Sequence, residues 1–463
     1  MSSTPVIAIF DIGKTNKKIL LFDEQYVLAY KEEVQLEETA DEDGFPCENI
    51  QLLTQWMEQS LQIILSDPRF QVRAVNFTAY GASLVHLDAA YKPFIPLYNY
   101  LKPYPFGLQE QFYHMYGGES LISMQTASPV LGSLNSGMQI YRLKYEKPDV
   151  FNRIVCSLHL PQYLSFIISG KLVSDMTSIG CHTNLWHFEN NEYHPWVEAE
   201  NITPKLAQIH SSDHPIGTTR VKMNNVPIGI GLHDSSAALI PYLEVFSDPF
   251  ILISTGTWSV SMNPFNHAPL TKEELKHDCL FYISHKGKSI KSSRLFAGHE
   301  HEQQNKRIAS YFGKAENYHQ KLPCDAALVK SITNLHKEKK GARTETSTHD
   351  FAAIDLTSFK NFEEAYHHYM YDLITRQVSS LQLVMKGAPV KKIFVDGGFS
   401  QNSLFMTMLA SSFPGISVYA AVLSQATALG AALSIHPHWN EKEISDGLIE
   451  LRNYSPLADC MIK

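Results

Sequence analysis

Two short tips rich in glycine and threonine constrain this chain more than any other feature. The first, Gly13-Lys14-Thr15-Asn16, lies between the apolar runs VIAIF and ILLF. The second, Ser254-Thr255-Gly256-Thr257, lies between the strand-like stretches FILI and WSVSM. Gly-Lys-Thr is the tail of a G-x-x-x-x-G-K-[ST] phosphate loop, but the position five before Gly13 is Ala8, and the chain runs on into a strand instead of a helix. Both stretches therefore read as strand, tight polar turn, strand. Two such hairpins half a chain apart predict two domains of related topology, with both tips facing one cleft.

The segments between them alternate. Asn49–Asp67 has helical apolar spacing, and Val72–Gly81 and Ser83–Asp88 read as strands. Such alternation indicates an α/β fold. Residues 89–220 are richer in aromatic residues and prolines and read as an elaboration on that core. Val226–Leu243 reads as strand, turn and small-residue helix, and Gly313–Asp350 as a polar surface excursion. Phe362–Met385 reads as a long amphipathic helix, Val390–Phe413 as strand, glycine turn and helix, and Ile416–Ile435 as strand, loop and helix. A chain of 463 residues exceeds one ordinary core. The boundary is placed at Ile240–Asp248, giving domains 1–243 and 244–463.

Composition excludes several classes of function. The net charge of −8 opposes non-specific nucleic-acid binding, and no apolar stretch approaches the ~20 residues of a membrane span. Six cysteines, Cys47 to Cys460, are scattered without a C-x-x-C pair, which suits a reducing cytoplasm. The N-terminus lacks the basic start of a signal peptide.

The tips suggest their own chemistry. A glycine-rich turn presents backbone N–H groups to phosphate oxygens without side-chain obstruction. Beside the first tip, Asp11 can hold Mg²⁺, while Lys14, Asn16 and Lys18 can offset phosphate charge. The second tip can approach the same phosphates from the facing domain. Asp396-Gly397-Gly398, after a buried strand, allows close approach by a flat nucleoside, although the dinucleotide fingerprint is absent. Asp234, in Gly231-Leu232-His233-Asp234-Ser235-Ser236, stands where a strand gives way to a helix. It suits either a base for a sugar hydroxyl or a helix cap. The His299-Glu300-His301-Glu302 run lacks the H-E-x-x-H spacing of a zinc protease and reads as a polar cleft wall or surface.

Taken in order, D-x-G-x-T-N-x-K, G-x-H-D-S-S-A-A, S-T-G-T-W, D-G-G-F-S-Q-N and A-T-A-L-G-A-A-L resemble the FGGY carbohydrate kinases over nearly the whole chain. The resemblance implies a two-domain actin-like, ribonuclease-H-like ATPase fold closing on ATP, Mg²⁺ and a small sugar. It places Asp11, Gly13, Thr15, Asn16 and Lys18 on the first phosphate motif, and Gly256 and Thr257 on the second. Gly397, Gly398 and Asn402 fall on the adenosine motif, and Asp234 on the catalytic base. His233-Asp234 and STGTW look most like L-rhamnulose and L-fuculose kinases, which implies a ketose and gives His233 a sugar hydroxyl to touch. Gly81, Ala82 and Asn99 complete the substrate-binding candidates. Here the sequence departs from its relatives, with YGAS and LYNYLK where an acidic residue and W-x-D-x-R often stand, so either the sugar pocket is rebuilt or the ligand is not one of the usual pentuloses. A homodimer is compatible with this reading. The rivals are a non-catalytic sugar sensor on the same fold and an actin-like ATPase.

Overall fold

The computed structural model describes residues 3–219, 225–340, 351–422 and 425–457. Cys460 and the 341–350 part of the polar excursion lie outside them.

Two sheets of seven strands organise the chain, and their cores repeat one pattern. In the first, Thr4–Ile12 turns back antiparallel onto Lys17–Asp23, which pairs antiparallel with Leu28–Val34. On its other side Thr4–Ile12 runs parallel to Phe70–Ala79. In the second, Phe250–Thr255 turns back onto Ser259–Asn263, which pairs with Ser289–Leu295. On its other side it runs parallel to Lys392–Gly397, and that strand to Ser417–Ala421. Each hairpin is thus the antiparallel half of a mixed sheet, buried on both faces, which is why its strands are apolar runs without alternation. This is the two-domain ribonuclease-H-like, actin-like architecture.

Helices cover the sheets by their apolar faces. Ile50–Ser66, capped by the Asn49 side chain on Leu52 N, packs Leu53, Met57, Leu61 and Ile64 onto the first sheet. Phe362–Met385 fills the second core with Tyr366, Tyr369, Leu373 and Leu381, with Ser403–Ser412 beside it. The aromatic elaboration forms a core of its own around Phe112, Tyr141 and Trp196. Part of the polar excursion is helix: Ala326–Lys340 buries Val329 and Ile332 in the second core. The strand expected within Val226–Leu243 is split into Pro227–Ile228 and Leu232–His233; between them Gly231, at φ +83°, donates its N–H to Asn76 Oδ1 at 3.1 Å instead of to a neighbouring strand.

The cut at 243/244 describes the sheets but not every helix. Ala426–Ser434, far along the second half, packs Ala428, Leu429 and Ala432 against Ile7, Ile9 and Leu232 of the first sheet. It crosses helix Asp234–Val245 so closely that a Cβ on Gly430 would strike the Ala237 carbonyl. That helix also packs Leu239 and Tyr242 on the second sheet. The two helices therefore link both halves. Among the described residues, no helix is long and apolar enough to cross a membrane.

Candidate active site

The two hairpin tips and the start of helix Asp234–Val245 converge on one cleft of about 460 Å³. Asp11, Lys14 and Lys18 line it from the first hairpin. Gly256, Thr257 and Trp258 line it from the second, and Asp396 and Gly397 from the neighbouring strand.

The first tip closes with Gly13 N donating to Asn16 O at 2.9 Å, which leaves Thr15 exposed at its apex. The Asn16 side-chain oxygen accepts from Gln35 Nε2 at 2.9 Å. At the root of the turn the Asp11 carboxylate accepts from Thr427 Oγ1 at 3.1 Å and lies 3.8 Å from Lys18 Nζ. Burial raises its pKa to about 6 against the pull of Lys18. Beneath the turn, buried Lys17 pairs with Glu48 at 2.9 Å and donates to Lys14 O at 3.0 Å. Lys17 and Thr427 were missed by sequence reasoning. A lysine on a strand and a threonine on a small-residue helix carry no signal until the fold brings them under the turn.

The second tip is shaped by backbone. Gly256 N donates to Trp258 O at 2.8 Å, and Thr257 O accepts from His299 N at 3.1 Å. Gly298, just inside helix Ala297–Tyr311, approaches so closely that a Cβ there would collide with the Gly256 carbonyl. Gly397, with φ +75°, is pressed likewise on the Thr255 carbonyl, and Gly398 is open and exposed beside it. The His-Glu run thus buttresses the tip. His299 stacks on Phe296, His301 meets the Tyr366 hydroxyl at 2.8 Å, and Glu300 grips Arg376 in a two-bonded pair.

Asp234 is the first residue of its helix, with its carboxylate a third exposed to the cleft and accepting from Ser235 N at 2.6 Å. It is not the cap, because His233 occupies that position. Desolvation raises Asp234 to about 6, so at neutral pH it is ionised yet basic enough to take a proton. His233 Nε2 lies 3.2 Å from Asp234 Oδ1 and 3.1 Å from Cys181 Sγ, and burial pushes the imidazole down to about 3. It is therefore neutral. Gly81 makes room for it, since a Cβ there would stand 3.0 Å from the His233 ring.

Ala82, Asn99 and Asn402 are not among the residues that line this cleft. Ala82 is buried at φ +58°, and its carbonyl accepts from Gln139 at 2.8 Å. Asn99 donates to Pro46 O at 2.9 Å, accepts from Leu101 N at 3.0 Å and lines a separate small pocket. Its neighbour Tyr100 lines the cleft instead, 6.0 Å from Tyr80. Asn402 caps helix Ser403–Ser412 through Phe405 N and donates to Tyr366 at 2.9 Å, so its side chain is engaged in structure. Sequence reasoning also missed His182, Tyr282 and Arg294 of the cleft wall, where Asp396 of the D-G-G motif stands as well. The three missed residues come from distant segments without a motif.

Comparison with known proteins gives the family and agrees with the fold. Residues 6–241 match the N-terminal domain of the FGGY family of carbohydrate kinases, and residues 247–443 match the carbohydrate kinase FGGY C-terminal domain. A rhamnulokinase of Halalkalibacterium halodurans is 24% identical over 195 residues, 40% of this chain and 41% of that one, so the match spans less than half of the curated relative. Among solved structures, a carbohydrate kinase from Novosphingobium aromaticivorans aligns with a TM-score of 0.77 at 21% identity, covering 97% of this chain and 96% of that one. Plasmodium falciparum glycerol kinase with ADP aligns with a TM-score of 0.72 at 14% identity, covering 98% and 95%. With both of its domains matched in order over most of its length, the chain belongs to the FGGY family of carbohydrate kinases.

Proposed function

We propose that this chain is an ATP-dependent sugar kinase that transfers the γ-phosphate to a hydroxyl of a ketose, and that this ketose is a 6-deoxy-ketohexose such as L-rhamnulose or L-fuculose. One observation carries the reading: a base-competent carboxylate, Asp234, lines one cleft together with residues of two glycine-rich hairpins. The matched rhamnulokinase favours the ketose.

In this mechanism the sugar lies against His233, Gly81 and Tyr100. Asp234 orients the attacking hydroxyl and accepts its proton as the oxygen reaches phosphorus. Neutral His233 leaves the charge of Asp234 uncompensated, which preserves its basicity. With Gly13 N and Gly256 N committed to closing their turns, the remaining backbone N–H groups of Lys14–Asn16 and Thr257 donate to the oxygens on which negative charge develops. Lys14 and Lys18 balance the ATP phosphates, and Gly397 and Gly398 give the nucleoside a flat approach.

Asp11 fits a magnesium site: it is a hard oxygen donor lining the cleft between the tips, held by Thr427. No cluster of three or more His, Cys, Asp or Glu among the described residues forms a metal cage. One carboxylate plus substrate phosphates is the usual magnesium environment. When bound, Mg²⁺ would offset the charge of the phosphates. Closure of the two halves about helices Asp234–Val245 and Ala426–Ser434 excludes water and so suppresses ATP hydrolysis.

The test is ADP release with Mg-ATP across a panel of ketoses, aldoses, aldonates and polyols, with Asp234→Ala as control. One responding sugar is expected, and the variant should lose about 10³-fold in kcat while still binding ATP. Normal turnover by the variant would sink the assignment of Asp234. No response to any sugar, with ATP still bound, would support the sensor reading instead.

A further inference from the structure

The sugar half of the cleft contains a cation that the mechanism above does not use. Arg294, on strand Ser289–Leu295 of the second sheet, lines the cleft although it is only 6% exposed. Burying a guanidinium is costly unless its donors are met and its position serves a purpose. Here one edge is fixed: Nε donates to Asp278 Oδ2 at 3.1 Å and Nη2 to Asp278 Oδ1 at 2.8 Å. The guanidinium carbon also lies 5.1 Å over the Trp258 ring. The Arg294 backbone N–H donates to the Asp278 carbonyl at 3.2 Å, and Asp278 itself adopts φ +59°. The opposite edge is free, since Nη1 makes no hydrogen bond to a described residue. This is a rigid donor, oriented before any ligand arrives.

Its neighbours show which ligand it faces. Arg294 acts electrostatically on Cys181, His182 and Tyr282. Those same groups surround the residue next to the base: Cys181 touches His233 at 3.1 Å, and the Tyr282 ring lies 5.4 Å from His233 and 6.1 Å from His182. The phosphate-side cations Lys14 and Lys18 instead accompany Asp11 on the first hairpin. Arg294 therefore belongs to the wall that meets the sugar, and it comes from the domain opposite Asp234.

We propose that Arg294 is a specificity-determining residue of the sugar site, donating from Nη1 to an oxygen acceptor of the substrate. The inference rests on the sugar-kinase reading. The acceptor is either the carbonyl or hydroxyl oxygen of a ketose or the carboxylate of a sugar acid; both present oxygen lone pairs to a planar donor edge. Asp278 is the positioning residue that aims it.

The experiment is steady-state kinetics of wild type, Arg294→Gln and Arg294→Lys with the sugar panel, including matched ketose and aldonate pairs. The KM for the responding sugar should rise about 10- to 100-fold in Arg294→Gln, the range for a lost charged hydrogen bond, while the KM for ATP stays within about twofold. Should Arg294→Gln fail to fold, Arg294→Lys carries the same test. It keeps a charge beside Asp278 but cannot hold Asp278 and reach the cleft together. A larger loss for the aldonate than for its ketose identifies a carboxylate as the acceptor, and a loss confined to the ketose identifies its carbonyl or hydroxyl. A fall in kcat with the sugar KM unmoved would assign Arg294 to the phosphate and overturn the proposal, as would no change at all. Wild-type protein that turns over no sugar overturns the kinase reading and this proposal with it.

Discussion

The two hairpins occupy equivalent places in equivalent sheets, yet opposite physics holds them. The first rests on charge. Lys17, 1% exposed, pairs with Glu48 at 2.9 Å and reaches up to the Lys14 carbonyl, so an ion pair props the turn from below. The second rests on close packing. Gly298 and Gly397 press against the carbonyls of Gly256 and Thr255. The acid beneath it, Asp396, is the strand neighbour of Ser254 and pairs with no cation among the described residues; its Oδ2 is buried without a hydrogen-bond partner. Desolvation raises Asp396 to about 7. A glycine-rich turn can thus be fixed either by compensated charge or by the absence of side chains, and the cleft has one of each.

That contrast can be broken experimentally. The largest effect is expected from Lys17→Met, which strands Glu48 in the interior. Removing one partner of a buried pair costs about 3–5 kcal/mol, so denaturant unfolding should show a loss of that size. A loss under about 1 kcal/mol would mean that the pair does not hold the first tip.

Gly298→Ala should act next, and on activity more than on the fold. Its Cβ displaces the Gly256 carbonyl and with it the Thr257 N–H of the same peptide unit, and removing one preorganised oxyanion donor costs about 100-fold or more in kcat. Turnover within about threefold of wild type would show that the second tip does not cradle the transferred phosphate.

Asp396→Asn sharpens the comparison through pH. The folded-state pKa lies above the unfolded value, so the native protein binds the extra proton between about pH 4 and pH 7. Stability should therefore fall as pH rises through that window and level off above it. The asparagine variant removes the ionisation, flattens the slope and gains on the order of 2 kcal/mol at pH 8, the scale of one unsatisfied buried group. An unchanged slope in thermal melts at pH 5, 6, 7 and 8 would show that Asp396 is not the group responsible.

Much of the fold was legible because it is local. VIAIF and ILLF are apolar runs on either side of a polar turn, and the period of Phe362–Met385 allows only a helix. Asp11, Asp234, Gly256 and Gly397 were legible because their flanking strands and turns aim them into a cleft whatever the ligand. Asn99 and Asn402 misled for a complementary reason. An asparagine near a motif serves a loop or a helix cap as readily as a ligand, and only its hydrogen bonds tell which.

By itself, then, the sequence determined the elements, their order and the residues at the hairpin tips, because backbone propensity and apolar spacing act over a few neighbours. Tertiary structure alone decided which distant side chains complete the site. Thr427 reaches Asp11 across 416 residues, Lys17 meets Glu48 beneath the first turn, and Arg294 meets Asp278 at the cleft wall. Such pairings depend on strand register and helix crossing, which are set by burial summed over the whole core and so leave no trace in any one segment.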